Sequence, residues 1–189
     1  MNTRHTVHAR RPGNQALLVI DVQQGLFRKA TPIYQAEKLL ENINSLVDRA
    51  HEAGVQVFYV QHSDKKSLVR GTDDWRLHPG LRPQEQDCIV PKRHVSAFQD
   101  TGLQEELDAR GIGNLVMTGL VTYACVRATC IDAARRGYRV ILAADGHSNY
   151  SKHAARVIED WNKKLGVQSI DLKSTSEIEF SYMHGSNAV

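Results

Sequence analysis

Apolar and polar positions along the chain follow two rhythms. Ala16-Leu-Leu-Val-Ile20 is a nearly unbroken apolar run that stops at Asp21. A short run with no polar face predicts a strand buried on both sides, as in parallel sheets. From Pro32 to about Ala53 the period changes: Leu39, Ile43, Leu46, Val47 and Ala50 share one helical face, and Gly54 closes the helix. Val55 to Val60 reads as a second strand. A polar stretch follows, from Gln61 to about Asp87, punctuated by Gly71, Pro79, Gly80 and Pro83. Its length suggests a lid or binding loop.

Beyond it, Cys88-Ile-Val90 reads as a short strand or extended segment, and Thr101 to Ala109 as a helix stopped by Gly111. Asn114 to Thr118 is a strand leading to Gly119, followed by a helix from about Tyr123 to Arg136. Tyr138 to Ala143 is a strand, and Asp145 to Tyr150 a turn-rich loop. Ser151 can cap a helix carrying Ala154, Val157, Ile158, Trp161 and Leu165, and Val167 to Ile170 reads as the last strand. This alternation predicts an α/β fold of three α/β/α layers, with a mostly parallel sheet and helices on both faces. Residues 1–14 are expected to be a flexible basic tail holding Arg4, Arg10 and Arg11, and residues 15–189 a single domain.

Composition narrows the function classes. The 189 residues are 41% hydrophobic and 24% charged, ordinary globular values. A net charge of +3, with signs interspersed, offers no concentrated basic face for nucleic acid. The first thirty residues hold no signal-peptide run, and no stretch is long and apolar enough to span a membrane, so a cytoplasmic location is the default expectation. Three cysteines without a CxxC pair suggest free thiols in a reducing compartment. Neither GxGxxG nor GxxxxGK[ST] occurs, so no nucleotide cofactor is implied.

In open α/β sheets, ligands bind beyond the carboxyl ends of the strands. Asp21 directly follows the first strand, Lys92 follows Val90-Pro91, and Cys125 falls in the first turn of the helix after the strand ending near Thr118. A helix N-terminus favours a thiolate, the reactive form, and its amides can hold an oxyanion. Asp21 reads as a general base, a metal ligand or only the first residue of a loop, and Lys92 can pair with it. Among the histidines, His62, His78, His94 and His147 fall in loops that can line a pocket. His62-Ser-Asp64, with His78, has residue types suited to a metal, but solvated or substrate-facing polar residues are the preferred reading.

Three blocks in order carry a more specific signal. They are Ala16-Leu-Leu-Val-Ile-Asp21-Val-Gln-Gln-Gly-Leu-Phe27, Pro91-Lys92-Arg-His-Val-Ser-Ala-Phe98 and Thr118-Gly-Leu-Val-Thr-Tyr-Ala-Cys125-Val-Arg-Ala-Thr129. With them the chain resembles the isochorismatase-like cysteine hydrolase superfamily, which includes nicotinamidases and N-carbamoylsarcosine amidohydrolases. The resemblance implies Asp21 as base, Lys92 as its partner and Cys125 as nucleophile. It also implies a cis peptide between Leu120 and Val121, and an oxyanion hole made by the amides of Val121 and Cys125. Phe27, His62, Trp75 and His78 are its substrate-pocket candidates. Nicotinamidases hold a metal through an Asp-x-His order; this chain has Gln61-His62-Ser63-Asp64 instead, so neither metal nor cofactor is expected. The implied activity is hydrolysis of a small-molecule amide or related C–N bond through a thioester. The alternatives are vinyl ether hydrolysis, metal-assisted nicotinamide hydrolysis, or a silent small-molecule-binding protein. A homodimer or homotetramer is the implied assembly.

Overall fold

The computed structural model describes residues 13–168 and 170–181. The expected basic tail falls outside them except at its last two residues. Strands β1 (Asn14–Ile20), β2 (Gln56–His62), β3 (Cys88–Lys92), β4 (Ile112–Leu120), β5 (Arg139–Ser148) and β6 (Ile170–Lys173) form one sheet in the order β3-β2-β1-β4-β5-β6. Every pairing is parallel. The helices are α1 (Gln24–Phe27), α2 (Ala36–Glu52), α3 (Leu103–Ala109), α4 (Arg127–Arg135) and α5 (Ala154–Gly166).

The unbroken apolar run of β1 has a direct cause. Ala16, Leu18 and Ile20 pack on one face with Leu103 and Leu107 of α3 and Cys130 and Ala133 of α4. Leu17 and Val19 pack on the other with Leu39, Ile43, Leu46 and Val47 of α2. Since side chains alternate along a strand, a strand covered on both faces must be apolar at every step. Each fully buried aliphatic side chain is worth roughly 1.5–3 kcal/mol of transfer energy. The expected three-layer architecture, with helices on both faces of the sheet, is the one observed.

Several details differ from the periodicity reading, among them the short helix α1, which it does not contain, and β2, which runs on to His62. β5 continues past Ala143 to Ser148, so part of the expected turn-rich loop is strand; its pairing with β4 shifts register between Met117 and Gly119. The helix expected from Tyr123 begins as a π-helical turn, Thr122–Val126, before α4. The last strand starts at Ile170, with the chain still helical to Gly166. Hydrophobic spacing alone does not separate a π-helical from an α-helical turn, nor a polar strand end from a loop.

The long segment after β2 is stitched to its own chain. Gly25 donates to the Asp74 carbonyl at 2.9 Å, Gln24 to that of Arg76 at 3.0 Å, and His78 to that of Val22 at 2.8 Å. Asp64 organises its start: its carboxylate accepts from the amides of Lys66 and Ser67, each at 2.6 Å, and from the Ser67 hydroxyl at 2.7 Å. The Leu68 amide, 3.0 Å from the same carboxylate, and then these bonds hold its carboxyl well below the usual carboxylate range.

Candidate active site

The strand order reverses direction between β1 and β4, and a crevice at such a switch point is where ligands bind in open α/β sheets. β1 ends at Asp21, whose backbone turns left-handed at φ +52°, a region Asp tolerates better than most residues. β4 ends at Leu120, and its penultimate residue Gly119, φ +118°, lies beside Ile20. A Cβ at Gly119 would lie 2.2 Å from the Ile20 carbonyl oxygen, so only glycine lets the two strands run this close. The next peptide, Leu120–Val121, is cis, and the π-helical turn then presents Cys125.

Lys92, the last residue of edge strand β3, is 2% exposed, as is Asp21. Its ammonium lies 2.8 Å from Asp21 Oδ2 and 3.3 Å from Cys125 Sγ. It also donates to the His94 carbonyl at 3.1 Å and meets His62 Nδ1 at 3.3 Å. An ammonium can only donate, so Nδ1 of His62 accepts and the imidazole proton sits on Nε2. The three residues singled out in sequence thus meet around one buried nitrogen.

Burial dominates the electrostatics. It raises the Asp21 carboxyl above its ordinary value, against the opposing pull of Lys92. It pushes the Cys125 thiol up to about 12, with the Asp21 charge adding and Lys92 opposing. Desolvation and the facing carboxylate thus oppose the thiolate that a helix N-terminus favours. Asp21 Oδ1 is buried without a hydrogen bond of good geometry. It remains an open acceptor beside the thiol.

Of the pocket candidates, His62 reaches the cluster, and burial followed by the Lys92 charge lowers its proton affinity. Phe27 packs on His78, ring centroids 4.2 Å apart. The Trp75 indole donates to Ser63 Oγ at 2.9 Å, with the Arg70 guanidinium 6.0 Å from its ring centroid. A cavity of about 410 Å3 borders Lys92, lined also by Ser63, Arg70, Arg93, His94 and Asp100. Among the described residues no group of three or more His, Cys, Asp or Glu is placed to hold a metal ion, and the Asp64 carboxylate is committed to its loop.

Two buried polar residues took roles that the sequence did not assign them. Gln23 clamps His62 on both sides: its Oε1 accepts from the His62 amide at 2.9 Å and its Nε2 donates to the His62 carbonyl at 2.9 Å. The same Nε2 reaches the Trp75 carbonyl at 2.7 Å. A glutamine three residues after an otherwise apolar strand was the available signal. His147, expected in a loop lining a pocket, lies on β5 and is 2% exposed. Its ring bridges Thr122 Oγ1 at 2.9 Å and Asn162 Oδ1 at 2.8 Å. The strand continues past the apolar run because these partners satisfy the polar side chain.

Fold and site together describe a doubly wound α/β protein with a buried Asp–Lys–Cys cluster at its switch point. Residues 15–164 match the isochorismatase domain family model. A streptothricin hydrolase of Streptomyces noursei is 36% identical over 148 residues, 77% of this chain and 54% of that protein. A second streptothricin hydrolase from that organism is matched over 63% of its length, so the chain spans between half and two thirds of these relatives. A solved isochorismatase family protein superposes with a TM-score of 0.81 at 27% identity, covering 85% of this chain and 98% of that one. The N-carbamoylsarcosine amidase of Thermoplasma acidophilum superposes with a TM-score of 0.77 at 26% identity, covering 88% and 99%. The chain belongs to the isochorismatase family. No helix among the described residues is long and apolar enough to cross a membrane.

Proposed function

We propose that this chain is a cysteine hydrolase that cleaves a small-molecule amide or related C–N bond through a thioester. The observation that carries the reading is the buried contact of Lys92 Nζ with both Asp21 Oδ2, at 2.8 Å, and Cys125 Sγ, at 3.3 Å. Likeness to an N-carbamoylsarcosine amidase supports the choice of a C–N bond.

The steps follow from the chemistry of these groups. In this reading proton transfer to Asp21 accompanies attack, since burial pushes the thiol up to about 12. Asp21 takes the S–H proton as Sγ bonds to the carbonyl carbon, and the carbonyl π pair moves onto oxygen. The amides of Val121 and Cys125 receive that oxyanion; in a comparable hydrolase site one such donor is worth about 2.7–4 kcal/mol. Collapse breaks the C–N bond, and Asp21 returns the proton to the departing amine or ammonia. Water, deprotonated by Asp21, then attacks the thioester, which releases the acid and restores the thiol. Lys92 holds the carboxylate and offsets the charge that develops on sulfur. Phe27, His62, Trp75 and His78 are assigned to the substrate side of this centre. The reaction in this reading uses no cofactor. Association as a homodimer or homotetramer belongs to the same reading: α5 keeps Val157, Ile158 and Trp161 only half-buried, and light scattering would measure the assembly.

The test is release of ammonia or amine from a panel of small amides by the parent and by Cys125→Ala, with intact-mass detection of the acyl-enzyme. Release by the parent alone, with an acyl adduct on Cys125, is expected. Equal release by both proteins would remove Cys125 from the chemistry.

A further inference from the structure

The turn that carries Cys125 is tied to β5 and α5 by a largely buried chain of hydrogen bonds whose directions are all determined. Asn162, on α5, donates through Nδ2 to the Ala144 carbonyl at 3.1 Å. Its Oδ1 therefore faces His147 Nε2, 2.8 Å away, and that nitrogen must carry the imidazole proton. Nδ1 is then an acceptor, and the Thr122 hydroxyl, 2.9 Å away, must be its donor. Asn149 is oriented in the same way: its Oδ1 accepts from the Ser151 amide at 2.9 Å, which leaves Nδ2 facing Thr122 Oγ1 at 3.5 Å. The hydroxyl thus donates to one side chain and accepts from another.

Thr122, His147 and Asn149 are buried. A buried donor left unpaired costs its desolvation energy, so such a network holds one geometry. Burial keeps the His147 imidazole neutral, lowering it to about 4, and the neutral ring is the form these directions require. Thr122 directly follows Val121 and the cis peptide, and stands three residues before Cys125. Its side chain therefore fixes the rotation of the segment whose amides receive the oxyanion in the proposed reaction.

We propose that Thr122 and His147 are positioning residues for the hydrolysis: their hydrogen bond, anchored on Asn162, aims the Val121 amide at the oxyanion. This inference rests on the hydrolase reading above. It separates the nucleophile, held by Lys92 and Asp21, from the oxyanion site, held from β5 and α5.

Three measurements on the full chain, made well below the melting temperature, test it. They are kcat and KM on the best amide of the panel, alkylation of Cys125 by iodoacetamide, and thermal unfolding. Thr122→Val keeps the shape and removes the hydroxyl. It is expected to lower kcat about tenfold or more, with KM within about twofold and alkylation at the parental rate. Thr122→Ser, which restores the donor, is expected to recover most of kcat. His147→Leu, which removes the acceptor, should reproduce the Thr122→Val split. Parental kcat in Thr122→Val, or no recovery in Thr122→Ser, would overturn the assignment. So would a fall in alkylation that matches the fall in turnover, since the network would then act on the thiol. A parent inactive on the whole panel would sink the hydrolase reading and this inference with it. An active parent whose Thr122→Val variant equals it would sink the inference alone.

Discussion

Removing the Lys92 ammonium tests the centre without any knowledge of the substrate. In Lys92→Met the stem is kept and the charge is lost. Asp21, 2% exposed and bonded to Lys92 at 2.8 Å, would keep a buried carboxylate with no counterion. Its Oδ1 already lacks a hydrogen bond of good geometry. Breaking a buried ion pair from one side costs about 3–5 kcal/mol, a large share of the roughly 5–15 kcal/mol that holds a domain together. For a chain of this size that lowers the melting temperature by roughly 6–20 °C. Part of the penalty can be escaped, because Asp21 can bind a proton. Burial already raises its carboxyl, and loss of Lys92 raises it further. A carboxyl whose folded-state pKa exceeds its unfolded value of about 3.9 holds its proton in the fold where the unfolded chain has released it. Stability then falls as pH rises through that window, and the variant should lose most at pH 8 and least near pH 5. Urea unfolding of the parent, Lys92→Met, Asp21→Asn and the double variant at both pH values measures this, and Asp21→Asn in the Lys92→Met background should restore stability at pH 8. A Lys92→Met variant within about 1 kcal/mol of the parent at pH 8, with the parent's pH slope, would refute the reasoning, because a buried pair cannot be broken that cheaply.

The remaining predictions address neighbouring features. The raised Asp21 carboxyl should place the acid limb of kcat/KM above the ordinary carboxylate value of about 3.9; a limb below it would remove Asp21 as base. His147, lowered to about 4 by burial, binds a proton in the unfolded chain but not in the fold between pH 6.5 and 4. Stability should therefore drop by about 3 kcal/mol as pH falls across that window, and a parent-minus-His147→Leu difference in urea unfolding that stays flat with pH would contradict it. Gly119→Ala places a Cβ 2.2 Å from the Ile20 carbonyl at φ +118°, and should cost more than about 3 kcal/mol or prevent folding; soluble protein with a parental melting temperature would show that β1 and β4 can separate. Asp64→Ala should loosen the 64–68 turn, costing about 1 kcal/mol, seen as faster proteolysis between β2 and β3.

The chain by itself determined its layer order. Two-sided burial of the central strands forces runs such as Ala16–Ile20, and α2 shows its one apolar face, because these patterns are local consequences of what covers each element. The three motif blocks carried Asp21, Lys92 and Cys125 for the same reason: their residue types and positions at strand ends are local. What lay beyond the sequence is everything that depends on parts of the chain far apart in number. Burial and a carboxylate 104 positions away push the Cys125 thiol up, an influence that the local argument from a helix end does not contain. His147 looked like a loop residue until its partners on the π-helical turn and on α5 were in place. Gln23 was one glutamine among many until it enclosed His62. Apolar periodicity records which side of an element faces the core. The fate of a buried polar group is set by the partner the fold brings to it, and only the tertiary structure decides that.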